Sequence, residues 1–194
     1  HEELTQVDDA LALVDDAIEL FDIEDRELFS GDTFRYATGL LVRAERWPRL
    51  LALLEKQILV HAKLNQMPDL NKVLLTRVIV HLANGDQVGA DRAFQDASGA
   101  QPAFLGSDEC RVGGELLDAM EKNDADALAK VVHKQTFNFL HRDVIKLVRS
   151  LRVAGTAHKG AAATAAQPDA AASSAQHGHP EARQDDDADD DLAG

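Results

Sequence analysis

Any chemistry done by this chain has to come from a small set of side chains. Asp8-Asp9 and Asp15-Asp16 have the composition of a general acid–base pair. On a helix, however, adjacent residues point about 100° apart, so neither pair converges on one site and both read as a solvated face. Cys110 lies near an expected helix start, a position that acidifies a thiol, but a lone cysteine reads better as a small packed core residue. His61, His81, His133 and His141 have no acid or second histidine at a helix-face spacing, apart from His133 and His141, which lie more than one turn apart, so all four read as structural. His158, His177 and His179 have the chemistry of metal ligands, but they fall in a segment expected to lack fixed geometry, and no metal is expected there. The chain contains no glycine-rich phosphate loop, nucleophile elbow or His-Glu-x-x-His helix. No cofactor is expected, and an enzyme is the weaker class.

The elements that carry these residues are helical. Apolar residues recur at helical spacing along residues 2–153. Leu4, Val7, Leu11, Val14 and Ile18 mark a first helix, and Phe34, Ala37, Leu40, Leu41 and Ala44 a second, with Asp32 or Thr33 as its cap. Pro48 suits the first turn of a third, whose stripe is Trp47, Leu51, Leu54, Ile58 and Ala62. Met67-Pro68-Asp69 ends that helix and opens the next. The run Val73 to Leu82 is β-branched enough for a strand, but its length and neighbours favour a buried helix. Asn84-Gly85-Asp86 is a turn, followed by Val88, Ala90, Ala93 and Phe94, and residues 98–106 are expected to be a loop. Val112, Leu116, Leu117 and Met120 form one further stripe, Ala127, Leu128, Val131 and Val132 another, and Val144, Leu147, Val148 and Leu151 the last. Turns at Glu45, Asn84 and Asn123 are spaced 39 positions apart. That spacing predicts an all-α, tetratricopeptide-like solenoid of helical hairpins over 1–153, since one hairpin cannot bury its own apolar face. Residues 154–194 have no large apolar side chain before Leu192 and are expected to form a disordered tail.

The net charge of −14 is unevenly distributed. Residues 1–32 hold 12 acids and one base, residues 33–153 hold 14 acids and 17 bases, and residues 154–194 hold 8 acids and two bases. The acidic total makes the chain a poor nucleic-acid binder, and no nucleic-acid partner is expected. Within the middle part, eight bases face only Glu45, Glu55 and Asp69 over residues 33–80, a local basic excess between acidic ends. An ordinary solvated surface accounts for the same counts. No apolar run approaches the ~18 residues of a membrane span. Residue 1 is His, so the chain is expected to be a fragment or a processed form.

Several segments carry a resemblance. Leu40-Leu41-Val42-Arg43 with Arg46-Trp47, then Val80-His81-Leu82 with Asp86, Val88, Ala90 and Arg92, resemble the soluble NSF attachment proteins. Pro102-Ala103-Phe104 followed by Gly106-Ser107-Asp108-Glu109-Cys110 is the strongest piece and is similar to the gamma branch of that family. Leu116-Leu117, Ala119, Glu121 and Asp124 follow at the family's spacing. The resemblance spans roughly residues 10–153 and the acidic ending, corresponding to the C-terminal half or more of the family's chain.

The resemblance implies a non-enzymatic adaptor. Such proteins coat the SNARE four-helix bundle with a curved helical solenoid and recruit the ATPase NSF, which takes the bundle apart so that SNAREs are reused in vesicle fusion. They act in the cytoplasm, peripherally on endomembranes. Their basic inner face implies SNARE-contact roles for Arg35, Arg43, Arg46, Arg49, Lys56 and Lys63, with Arg43 and Arg46 preferred. Lys72 and Arg77 complete the eight bases. The family's acidic ending implies an NSF-docking role for Asp189, Asp190, Asp191 and Leu192, although Ala193-Gly194 after the leucine departs from the family pattern. A different helical-repeat scaffold of a multi-subunit assembly remains the alternative.

Overall fold

The computed structural model describes residues 30–153 continuously and, upstream, Asp9, Ala12, Leu13 and Asp16, which are helical and exposed. The apolar residues that mark the first expected helix (Leu4, Val7, Leu11, Val14 and Ile18), the tail histidines and the acidic ending with Asp189, Asp190, Asp191 and Leu192 lie outside the described residues.

From residue 30 onward the chain runs through α1 (Ser30–Arg43), α2 (Trp47–Lys63), α3 (Met67–Ala83), α4 (Gln87–Ala100), α5 (Pro102–Leu105), α6 (Asp108–Glu121) and α7 (Ala125–Val131). A 3-10 turn (Gln135–Phe139) and α8 (Arg142–Ser150) follow. The described residues contain helices and no strand, as the periodicity predicts. The ambiguous run Val73 to Leu82 lies within α3. Pro48 and Pro68 both occupy the first helical turn, where a missing N–H breaks no intrahelical bond.

Four hairpin turns share one design. Glu45, Asn65, Gly85 and Asn123 take positive φ, at 52°, 54°, 74° and 51°. The amide one residue further on reaches back five positions: Arg46 to Leu41, Gln66 to His61, Asp86 to His81 and Asp124 to Ala119, at 2.9–3.0 Å. This is the Schellman closure, which satisfies the carbonyls that a helix end leaves open. Gly85 alone among the four adopts the left-handed region without a Cβ penalty. The turn pairing with Glu45 thus centres on Gly85, one residue past Asn84, and a turn of the same kind at Asn65 halves the interval.

Helix α3 sits at the centre. Leu75, Val78, Ile79 and Val80 are wholly inaccessible, because α2 and α4 flank α3 while α6 and α8 also pack against it. A helix enclosed on several sides has to be apolar all round, which explains its near-continuous hydrophobic sequence. The buried face of α2 is rotated from the expected stripe. Leu50, Leu53, Leu54 and Gln57 are buried whereas Ala62 is exposed, since α2 packs on α1 as well as α3. On α4 the buried residues are Ala90, Ala93 and Ala97, and Val88 is exposed.

Asp32 sits inside α1, where a carboxylate in the first turn suits the positive helix end. The expected loop 98–106 is largely helical: α4 continues to Ala100 and Pro102 starts α5. Beyond the hairpins, α8 turns back to pack on α1 and α3.

Candidate functional site

The six basic residues expected at a partner face separate into a row of three on α2 and three individual positions. Arg49, Lys56 and Lys63 lie on α2 at seven-residue intervals. Seven residues are almost two turns, so the three form one line along the helix, about 10 Å apart, drifting ~20° per step. Lys56 and Lys63 are exposed and Arg49 is half-buried where the line nears the packed face. Leu59, 69% exposed, lies beside them.

Arg35 belongs to α1, is exposed, and lies 3.6 Å from Asp32 one turn earlier. Arg46 precedes α2 at its capping position and is half-buried.

Arg43 has a different setting. Its Nη1 donates to Asp143 Oδ2 at 2.6 Å, joining the end of α1 to the start of α8 across a separation of 100 positions. Arg43 is half-exposed, but the Asp143 side chain is only 3% accessible. Lys146 Nζ donates to the other carboxylate oxygen at 3.3 Å. Burial pushes the Asp143 carboxyl up, but the hydrogen bonds from Lys146 and Arg43 outweigh it and hold it below the usual carboxylate range.

Next to it, His141 Nδ1 accepts from the Asp143 amide at 3.2 Å and caps α8. That bond needs an unprotonated Nδ1. Burial first, and then the positive charges of Arg142, Arg43 and Arg35, lower the His141 pKa against the pull of Asp143. Gly39 makes the close approach possible: a Cβ there would lie 2.8 Å from His141 Cε1 and 3.2 Å from Asp143 Oδ2.

The strongest sequence signature has a packing explanation. Phe104 is wholly buried in a small second core with Leu70, Leu74, Ala97 and Cys110. Its ring meets Phe94 edge-on, with centroids 6.0 Å apart at 74°. Ser107 Oγ donates to the Phe104 carbonyl at 2.7 Å and accepts from the Cys110 amide at 3.1 Å, capping α6. Cys110 is buried, in keeping with the packed-residue reading. The run Pro102 to Cys110 therefore marks a corner of the fold.

Two histidines brace turns. His61 Nδ1 meets Gln66 Oε1 at 2.7 Å, and His81 Nδ1 meets Asp86 Oδ2 at 2.9 Å. Asp86 also caps α4 by accepting from Gly89 N at 2.8 Å. The Gly89 amide and the His81 ring lower its pKa, outweighing the opposing effect of burial. This acid partner of His81 lies five positions away, across a turn, outside the i+3 and i+4 window that identifies helix-face pairs. Among the described residues, no group of three or more His, Cys, Asp or Glu could hold a metal ion. No helix among them is long and apolar enough to cross a membrane.

A family model described as "Soluble NSF attachment protein, SNAP" matches residues 1–142. The gamma-soluble NSF attachment protein of Dictyostelium discoideum is 32% identical over 143 residues, covering 74% of this chain and 44% of that protein. Its counterpart of the same name in Arabidopsis thaliana is 27% identical over 144 residues, covering 74% of this chain and 49% of that protein. The chain thus spans about half the length of the curated relatives it matches. Its gamma-like Pro102 to Cys110 corner and its helical hairpins agree with that match, and the chain belongs to the soluble NSF attachment protein family.

Proposed function

We propose that this chain is part of a non-enzymatic adaptor that binds the SNARE four-helix bundle and recruits the ATPase NSF for bundle disassembly in vesicle transport, at the cytoplasmic surface of endomembranes. The observation that carries the reading is the basic line Arg49, Lys56 and Lys63 along one helix of a SNAP-family scaffold. A straight row of cations suits a long acidic rod better than a compact ligand, and long-range attraction of this kind speeds encounter and is sensitive to salt. Leu59 beside the row offers an apolar contact once the charges have aligned the partner. In this reading Arg35 extends the basic surface from α1, whereas Arg43 and Arg46 support it from the α1–α2 turn. Asp189, Asp190, Asp191 and Leu192 supply the acidic contact to NSF, where docking by charge tolerates a shift in register.

The test is a pull-down of NSF on the full chain preassembled with a SNARE bundle. A Lys56→Glu/Lys63→Glu variant and a version lacking residues 185–194 are run alongside. The α2 variant is expected to lose bundle binding, the truncated chain to keep the bundle but lose NSF, and bundle binding to weaken as salt rises. Bundle binding indifferent to both the α2 variant and salt would refute the electrostatic reading.

A further inference from the structure

A cleft of about 650 Å³ opens between α1, α2, α3 and the start of α8. Its volume falls in the range of small-molecule sites. Three cations reach it from three separate elements: Arg35 from α1, Lys72 from α3 and Arg142 from α8. Asp69 is the one acid on its wall, and its Oδ1 lies 3.0 Å from Lys72 Nζ. The wall therefore carries a surplus of two positive charges. The other ionisable groups lining it are His61 and His141. The floor includes the buried pair Gln57 and Thr38, hydrogen-bonded at 3.1 Å, and Phe139, 64% exposed, stands on the wall.

We infer that this cleft binds a compact polyphosphate ligand, of the inositol polyphosphate class, through Arg35, Lys72 and Arg142. Two guanidinium groups from different helices present forked donors suited to phosphate oxygens, and the lysine adds a point charge. A single phosphate, at about −2, balances that surplus but fills a small part of the volume, whereas several phosphates on one small frame fill it and give each of the three cations, set on three separate elements, a phosphate to engage. Arg35 gives up little to engage such a ligand, since its partner Asp32 is 95% exposed and 3.6 Å away. Because Arg142 comes from the returning α8 and Arg35 from α1, a bound ligand would also bridge these two helices. The proposal concerns a concave site and is independent of the α2 row.

The test is calorimetric titration of the full chain with inositol hexakisphosphate at physiological salt. One-to-one binding is expected at about 10 μM or tighter. Arg35→Gln/Arg142→Gln should weaken it at least ~10-fold, the worth of one or two charge-assisted contacts. Lys56→Gln/Lys63→Gln removes equal charge on α2 and should leave affinity within about twofold, since those residues lie off the cleft. Should the arginine pair fail to fold, Lys72→Gln alone carries the same expectation. No binding at ~1 mM, or equal losses in cleft and α2 variants, would overturn the proposal. Flotation with vesicles containing phosphatidylinositol 4,5-bisphosphate separates the two sources of this chemistry. Flotation abolished by the soluble compound assigns a lipid headgroup, and titration without flotation assigns a free polyphosphate.

Discussion

Arg43 and Asp143 make an unequal pair, and the inequality can be measured. Asp143 is 3% accessible and Arg43 is half-exposed, so only one of the two charges loses its water on folding. Arg43→Gln leaves a buried carboxylate supported by Lys146, whose own side chain is 75% exposed, and by Arg142 at 3.9 Å, also largely exposed. Removing one partner of a fully buried pair costs about 3–5 kcal/mol, and the remaining lysine and the exposure of Arg43 reduce this to about 2–3 kcal/mol. Asp143→Asn strands no buried charge, because Arg43 regains water, and forfeits only its charge-assisted bonds, about 1 kcal/mol. The double variant should therefore be more stable than Arg43→Gln by about 1 kcal/mol, the second substitution rescuing the first. Urea unfolding of the full chain followed by circular dichroism measures all four proteins, with unchanged slopes confirming comparable end states. Additive losses, or a greater loss for Asp143→Asn than for Arg43→Gln, would refute the assignment of the desolvated charge to Asp143.

Three further outcomes follow from the same geometry. Phe104→Ala should cost about 3–5 kcal/mol by calorimetry, because it empties the second core; a loss under about 1 kcal/mol would show that the α4–α6 corner collapses to fill the space. Two glycines of α1 should respond with opposite signs to alanine. Gly31, with nothing within 4 Å of a Cβ, should gain up to about 1 kcal/mol of stability, whereas Gly39, facing His141 at 2.8 Å, should lose about 1 kcal/mol net of its better helix propensity. Stability should fall on acidification: His141 is held below its ordinary 6.5 and Asp143 below 3.8, so the unfolded chain takes up protons before the folded one in both windows. Folding free energy from these groups is complete near neutrality, is lost first as pH drops below about 6.5, and is lost again below about 4. His141→Asn, which keeps a cap acceptor but does not titrate, should flatten the pH 5–7 part of that curve.

Much of the fold was legible in local chemistry. Pro48 and Pro68 marked helix starts, Asn84-Gly85-Asp86 marked a hairpin, and Val73 to Leu82 was readable as the buried helix because no flanking element had strand character. The departures share a cause. Ala62 and Val88 are apolar yet exposed, and Gln57 is polar yet buried, because the face a helix buries depends on how many neighbours it has. Periodicity registers one stripe and does not count neighbours. Helix α5 was hidden inside the expected loop 98–106, although Pro102 suits a helix start. The α2 row was legible as a surplus of bases, and the seven-residue spacing of Arg49, Lys56 and Lys63 was available to find it. The partnership of Arg43 with Asp143 was not. An aspartate in the first turn of a short amphipathic helix is the usual exposed, dipole-matched residue, and nothing near position 143 points to position 43.

That separation has a kinetic consequence. The contacts of α3 with α2 and α4 join elements adjacent in sequence, and their Schellman turns close within six residues, so this hairpin stack can form with little loop entropy. Bringing α8 onto α1 closes a loop of 100 positions and gains its packing only once α1 and α3 are in place. The contact between α1 and α8 belongs on the native side of the folding barrier. Substitutions there should accelerate unfolding while leaving the refolding rate nearly unchanged, so that the lifetime of the folded chain is set by α8 and its speed of assembly by α3.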